Sequence, residues 1–590
     1  MLESLGPRGP DALGAMRWDK GLAVTQDAAP NALLHTRLAI IDPRPEANQP
    51  MSNARGDVWL SYNGEVYDWS ADRDLLTASG VQFHTRSDTE FILHAYEHWG
   101  IDFVQRLRGM FALAILDLRK HALYVVRDRL GLKPVVYSHG AQGFAFASVV
   151  RALIPWLPPD KRTLSPQGID AYLAHRYLPA PMTIMKDVMR LPAAHHLRYD
   201  LASRELEITE YWRPEPSSEP WLATLDAAVR MRTVADRPLG VLLSSGIDSS
   251  TIACRLNAMR LPAVQTFTAA FSDPSRDESA LAGRIASQLG LPNLAVPMPD
   301  SIGGGFDRLI ADLDEPFADP SSVPTWYLGR EVSRHVKVVL SGDGGDELFG
   351  GYKRYQKHAR TGWRRGISLG WLKPAATLSS GAWPRLLDEL RLDWRAAYVL
   401  RFSGFMPRER MFLQPDLVPR AHYWRMPSDD QRSPLETLLE IDRLNYLPEY
   451  ILRKSDLCLM AHGVELRAPM LDHRFVASVL AMPPAQRFTR PAKKALQPAL
   501  APLGNLDVFA GKKRGFSPPI GPWLRNDLAP RIHGLAVRLD QLTSGQLERE
   551  RVEHFLHAWA ANRKSLDEQV FQLLVLDESL AQLTRLARAH

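Results

Sequence analysis

The sequence predicts two architectures in tandem: a layered α+β domain, then an α/β domain on a parallel sheet that ends in a mostly helical part. Three observations predict this. Residues 30–150 carry short apolar or alternating runs punctuated by Gly, Asn, Asp and Pro, as strands and turns do. Residues 238–345 alternate continuous apolar runs with amphipathic ones, the pattern of βαβ units. Between them YWRPEPSSEP (211–220) is short, polar and Pro-rich; taken as a joint, it divides the chain into 1–210 and 211–590.

In order, LLHTRLAIID, DVWLSYNGEVYD, GMFALAILD, HALYVVRD and GFAFAS read as strands of the first domain. DTEFILHAYEHWG spaces Phe91, Ile92, Ala95 and Tyr96 as a helix does, with Gly100 as its stop. After the joint, PLGVLLSSG is a strand and IDSSTIACRLNAMR a helix. VQTFTAAF and DESALAGRIASQLG repeat that pair, and NLAVPM and VKVVLSGDG add strands. From about 355 the chain is rich in helical patterning, Trp and Arg.

A chain of 590 residues exceeds one hydrophobic core. Its 45% hydrophobic and 23% charged residues are those of a soluble globular protein. A formal net charge of +6 makes no case for a nucleic-acid partner, while leaving room for a local basic pocket. Two cysteines, Cys254 and Cys458, cannot build a disulfide framework or a Cys-based zinc site. No apolar run reaches the roughly 18 residues of a membrane span. Residues 1–25 lack a signal-peptide layout. A cytoplasmic setting without a membrane partner is the expectation.

The strongest chemical feature is LSSGIDSS, Leu243 to Ser250, where the first apolar strand of the second domain turns into a helix. Small residues let the backbone approach an anion, and amides at the helix start supply donors. Asp248 in its middle would repel a bare phosphate, a conflict that a divalent cation removes. The plain alternative is a capped strand–helix turn, since Ser and Asp are good N-caps. No Gly-Lys-Ser/Thr follows, so this is not a Walker loop. The second feature, SGDGGDELFGGY (341–352), also follows an apolar strand. Ligands of open parallel sheets bind at the carboxyl ends of strands, so both loops belong on one edge, with Asp248 and Asp346 sharing magnesium. The plain alternative here is a glycine-rich turn with solvated acids.

LLSSGIDSS, DEPFADPSSVP, LSGDGGDELFGGYKRY and MAHGVELRAPMLDHRF resemble the synthetase half of glutamine-dependent asparagine synthetases. HTRLAIID, YNGEVYD, SDTE, GMFALAILD and RDRLGLKPVVY resemble their glutaminase half. The resemblance implies an N-terminal nucleophile hydrolase-like αββα domain, then an ATP-pyrophosphatase (PP-loop) domain. It implies ATP and Mg2+ as cofactors, with aspartate and glutamine or ammonia as small-molecule partners, and leaves a homodimer open. In the family an aspartate carboxylate attacks the α-phosphate of ATP, and ammonia then attacks the adenylate.

By that resemblance Ser244, Ser245, Gly246, Asp248 and Ser249 would cradle pyrophosphate and metal, with Asp346 the second metal carboxylate. Ser245 stands where the family usually has Gly. Leu243, Ala269, Ser341 and Gly342 would hold the adenosine. Asp343, where the family often has the longer Glu, would take a proton from the incoming ammonia. Lys493, at the head of a Lys-x-x-Leu helix, would neutralise phosphate charge, with Lys494 as fallback. Lys454 would also face the nucleotide, and GKKRGFSPPI (511–520) resembles a loop near the site. In the glutamine pocket Arg37 would pair with the substrate carboxylate in a bidentate way. Asp88 would hold its amine, and Asn63 with the Gly64 amide would form an oxyanion hole. Read alone, Asn63-Gly64 is more often a hairpin turn.

The family's nucleophile is a cysteine directly after the initiator methionine, ahead of a turn that here falls at Arg8-Gly9-Pro10-Asp11. The expectation is a sequence that starts late, at an internal methionine. The alternatives are an ammonia-using synthetase, a relative that activates another carboxylate as β-lactam synthetases and lasso-peptide cyclases do, and a silent scaffold. No motif identifies the acceptor pocket. The Trp and Arg residues of 360–440 read as helix packing with snorkelling cations.

Overall fold

The computed structural model describes residues 1–260, 264–369, 382–427, 432–506, 508–509, 518–561 and 566–589. In the first domain β1 (Ala12–Trp18) and β2 (Asn31–Arg37) pair antiparallel, with Val24–Thr25 on the outer side of β1. A six-stranded sheet is built from β3 (Met51–Ser52), β4 (Val58–Tyr67), β5 (Arg108–Asp117), β6 (Ala122–Arg127), β7 (His195–Asp200) and β8 (Leu206–Glu210), in the order β8-β7-β6-β5-β4-β3. The helix between β4 and β5 is α1 (Asp88–Trp99); the Ser87 hydroxyl caps it by accepting from Thr89 N at 3.1 Å, and Gly100 ends it at φ +66°.

The alternation of β5 sorts its side chains between two layers. Phe111, Leu113 and Ile115 meet Phe91, Ile92 and Tyr96 of α1. Ala114 and Leu116 meet Met16, Trp18 and Leu33 of the β1–β2 sheet. A further small sheet, with Val136 and Ala147, packs on helical residues Leu153, Ile169 and Tyr172. The layers are therefore helix, sheet, sheet, helix, the αββα arrangement that the resemblance implies.

In the second domain β9 (Leu239–Leu242), β10 (Gln265–Ala270), β11 (Asn293–Pro297), β12 (Val338–Leu340) and β13 (Glu465–Arg467) form one parallel sheet, ordered β11-β10-β9-β12-β13. Helix α2 (Ile247–Ala258) follows β9, α3 (Ser279–Gln288) follows β10, and α4 (Ser322–Val332) precedes β12. After β12 come α5 (Gly345–Phe349), α6 (Arg453–Met460) and α7 (Asp567–Ala589). Strand β13 was not among the predicted strands, because Glu465–Arg467 is too short to show a period. Segment 211–220 runs without regular structure into the helix Trp221–Met231.

Asn63-Gly64 lies inside β4, as the reading of DVWLSYNGEVYD as one strand expects, opposite Ala112 and Phe111, with Gly64 at φ +145°. One feature departs from the sequence reading. The Lys-x-x-Leu stretch is not an α-helix. It is a 3-10 helix over Lys494–Leu503, interrupted by Pro498 and Pro502, and Lys493 is its N-cap in the left-handed region. Proline removes the donors an α-helix needs.

Apolar clusters tie the halves together. Met110, Leu130 and Leu132 share a cluster with Val241, Leu340 and Met470. Buried ion pairs follow the same seam: Arg108 holds Asp472 through two 2.9 Å hydrogen bonds, and Arg127 reaches Glu449 at 2.8 Å. No helix of the described residues is long and apolar enough to cross a membrane.

Candidate functional site

The first loop begins where β9 ends. Leu243 is buried, and its amide donates to Phe267 O of the neighbouring strand at 2.9 Å. The chain then curls around Ser249. The Ser249 hydroxyl accepts from Ser244 N at 3.1 Å and lies 2.9 Å from the Ser244 hydroxyl, which in turn accepts from Gly246 N at 3.1 Å. Gly246 is the N-cap of α2, so Asp248 falls in the first helical turn. Ser245 stands at the half-buried tip between them.

The second loop leaves β12 at Ser341, whose amide donates to Arg467 O at 3.0 Å. It runs against the first loop so closely that side chains are excluded. A Cβ on Gly342 would meet Ser249 N at 2.6 Å, and one on Gly345 would meet Asp248 Oδ1 at 2.2 Å. The left-handed Gly344 turns the chain into α5, which begins with Gly345 and Asp346. Ala269 is buried on β10, in the strand next to β9.

Lys493 joins the loops. Its ammonium pairs with Asp248 of the first and lies 2.5 Å from Asp346 of the second. Burial alone would lower its pKa; the two carboxylates reverse this and raise it above the ordinary lysine value. Lys494, the fallback, is exposed. Asp343 accepts from the Ser455 hydroxyl at 3.1 Å, and burial raises its carboxyl above the usual range although Lys454 and Ser455 oppose this. Lys454 donates to the Ser321 hydroxyl at 2.9 Å and pairs with Asp319 at 3.3 Å. Asp319, Ser321 and Ser455 were not singled out from sequence, although DEPFADPSSVP marked the first two. Of GKKRGFSPPI, residues 511–517 lie outside the described residues.

The other four predicted residues line one cavity of the first domain. Arg37, Asn63, Gly64 and Asp88 share it with Arg8, His35, Gln49 and Glu65, and Met460 and Glu465 of the second domain close its far side. Asp88 accepts from the Tyr62 hydroxyl at 2.8 Å and from Val66 N at 2.9 Å, yet burial still raises its pKa to about 6. Burial also lowers His35 to about 4, with Arg37 adding to it. The Arg37 fork, expected to be open, donates to Arg44 O, Ile41 O, Asp42 O and the Asn48 side chain at 2.7–3.1 Å. Those oxygens orient it and occupy the donors of both its Nη groups. Neither cysteine lines this cavity: Cys254 lies in α2 and Cys458 in α6, and burial raises both thiols, Cys254 to about 12.

The cavity is wired to the second domain by charge. Glu65 pairs with Arg467 at 3.0 Å, Arg467 with Glu465 at 2.9 Å, and Lys133 with Glu465 at 3.4 Å. Arg8 pairs with Asp456 at 2.7 Å. Arg467 thus touches the first domain's cavity through Glu65 with its side chain and the Ser341 loop with its carbonyl.

The family model described as "Glutamine amidotransferase domain" matches residues 1–212, and that described as "Asparagine synthase" matches residues 221–584. Fold and site together define a two-domain enzyme of the ligase type. The chain is 34% identical over 560 residues to a Mycobacterium bovis protein provisionally named a glutamine-hydrolysing asparagine synthetase, covering 88% of this chain and 83% of that one. It is 28% identical to the glutamine-hydrolysing asparagine synthetase 1 of Bacillus subtilis, covering 91% and 88%. The amidase chyE of Penicillium rubens is 27% identical, covering 91% and 87%. The chain belongs to the family of glutamine-hydrolysing asparagine synthetases.

Proposed function

We propose that the chain amidates L-aspartate to L-asparagine through an aspartyl-adenylate, consuming ATP and releasing AMP and pyrophosphate. The observation that carries this is Lys493, held between Asp248 and Asp346 where two glycine-rich loops meet. A carboxylate oxygen is a poor leaving group. Attack of the aspartate β-carboxylate on the α-phosphate expels pyrophosphate and converts that oxygen into part of AMP. Ammonia then adds to the acyl carbon, AMP departs, and the amide remains.

In this reading the Ser244–Ser249 loop receives the pyrophosphate, with Lys493 offsetting the charge that builds on it. Leu243, Ala269, Ser341 and Gly342 form the adenosine side. Asp343, with its raised pKa, accepts the proton that the attacking nitrogen must lose. Lys454 holds Asp319 and Asp343 in place by charge. Two carboxylates facing a phosphate site fit Mg2+, which takes one or two protein carboxylates and fills its shell from phosphate and water. Asp248 and Asp346 would hold it, and it would supply charge neutralisation on the phosphates.

In the first domain Asp88 receives the glutamine ammonium, Arg37 its carboxylate, and Asn63 with the Gly64 amide the oxyanion. Among these 590 residues both thiols lie in the second domain. The nitrogen source is therefore tested with glutamine and with ammonium side by side. Pyrophosphate release is measured with Mg2+, ATP and each of aspartate, glutamate and a panel of other acids. Asparagine formed with aspartate is expected; pyrophosphate release that requires a different acid and ignores aspartate would refute the assignment.

A further inference from the structure

A second cavity lies on the far end of α5 from Gly345 and shares no lining residue with the first domain's cavity. It is enclosed by the joint segment at Pro214 and Pro216, by α5 at Leu348, and by the helix Pro434–Leu444. Its volume is about 190 Å³, on the order of six waters' share of the liquid. That is space for a molecule the size of a branched-chain amino acid. Leu439, Leu471, Val476 and Leu480 make its walls apolar.

One cation in this lining is not consumed by its surroundings. Arg487 is 4% exposed. Its Nε donates to Leu348 O at 2.7 Å and its guanidinium lies 4.9 Å over the Phe488 ring; its two Nη groups have neither a hydrogen bond nor an ion pair among the described residues, and they are not sealed from accessible space. By contrast Arg443, in the same lining, is held by Glu440 through hydrogen bonds of 2.8 and 2.6 Å. A guanidinium has five N–H donors, and those of the Nη groups remain open to an acceptor that enters the cavity. Burial depresses Arg487 to about 10, and the Glu436 charge opposes this. Glu436 also lines the cavity. One of its oxygens caps the Pro434–Leu444 helix by accepting from Ser433 N and the Ser433 hydroxyl; its second oxygen is engaged in no hydrogen bond to the described residues.

A bare fork, a carboxylate with spare acceptor capacity and aliphatic walls match one kind of molecule. We propose that this cavity binds a free α-amino acid with a branched aliphatic side chain, its carboxylate on the Arg487 fork, its ammonium towards Glu436 and its side chain among the leucines. A fork-to-carboxylate contact in an apolar enclosure is a strong and directional one. The site shares no lining residue with the cavity proposed for glutamine. Through Leu348 O it bears on α5, the helix that carries Asp346. The bound acid would therefore act as an effector rather than a substrate.

The test is titration calorimetry of the full chain with L-leucine as probe. Saturable binding at one site per chain is expected. It should persist with saturating ATP, Mg2+ and aspartate present, and weaken at least tenfold in Arg487→Met. Leu439→Trp fills the cavity but leaves Arg487 in place, and it should abolish binding without lowering the thermal midpoint by more than a few degrees. 3-Methylbutan-1-amine, which lacks the carboxylate, should not bind. Absence of saturable heat with the wild-type chain would overturn the proposal. So would unchanged affinity in either variant, or competition by aspartate or glutamine, which would place leucine in a pocket already described.

Discussion

Replacing Gly342 by alanine tests the contact between the two loops. A Cβ at this position meets the Asp248 carbonyl carbon and Ser249 N at 2.6 Å, both of them backbone atoms that cannot rotate away. Ordinary contact begins near 3.4 Å, so the two loops must part by about 0.8 Å. Displacements near 1 Å around a reacting centre cost about a hundredfold in rate, or roughly 2.7 kcal/mol of barrier. The assay is aspartate-dependent pyrophosphate release at several ATP concentrations. The expected result is a fall of about two orders of magnitude in kcat/KM, with calorimetric glutamine binding at the remote pocket unchanged. Activity within about threefold of wild type, with the fold intact, would show that the loops need not touch, and the shared site would lose its basis.

Lys493→Met should lower pyrophosphate release by about 10²–10³, the usual effect of removing one electrostatic contact to a charged transition state. Lys494→Met, at an exposed position, should do little; the reverse ranking in the same assay would move the assignment to Lys494. Asp88, raised to about 6, is the proposed ammonium site, so glutamine binding should weaken as pH falls through 6. A calorimetric titration from pH 5 to 8 checks this, and Asp88→Asn should flatten the profile. For stability the sign is opposite: a carboxyl whose folded pKa is raised favours the folded protein while protonated, so that contribution declines as pH rises through 6. Asp472→Asn should destabilise the chain by about 3–5 kcal/mol, because Arg108 and Arg232 lose a buried partner. Burial would raise the Asp472 carboxyl, but these arginines hold it below the usual range. Its contribution is thus complete above the ordinary carboxyl pKa and lost only in strong acid, which urea midpoints against pH will show.

The strands of both sheets were readable where the pattern had length. Val58–Tyr67 and Arg108–Asp117 run for ten residues each, the first alternating over its first half and the second nearly continuously apolar, and the apolar runs ending at Leu242 and Leu340 announce parallel strands. The two Gly/Ser/Asp loops were readable for a related reason. The function proposed for them needs small residues and acids at close spacing, so that chemistry is local in sequence. Glu465–Arg467 escaped, since three residues carry no period, and with it went the contribution of Glu465 to the first domain's pocket. The Asn63-Gly64 pair, a hairpin signal when read alone, sits inside the predicted strand, because a glycine inside a strand is also used where another backbone approaches; a Cβ on Gly64 would meet Met110 O at 2.1 Å.

By itself the sequence determined the two fold classes, the two Gly/Ser/Asp loops, the family and most of the side chains that line both pockets. It did so because period, turn chemistry and motif spacing are properties of neighbouring residues. Only the tertiary structure decided what those side chains do to one another. Lys493 reaches Asp248 across 245 positions, and Arg467 reaches Glu65 across 402. It also decided that the Arg37 fork is already engaged by carbonyl oxygens, and that Arg487 is buried with its fork bare. Those outcomes depend on how two layered domains dock. Docking is set by the summed burial of many apolar side chains and by desolvated charge pairs, and neither quantity is written in any one stretch of the chain.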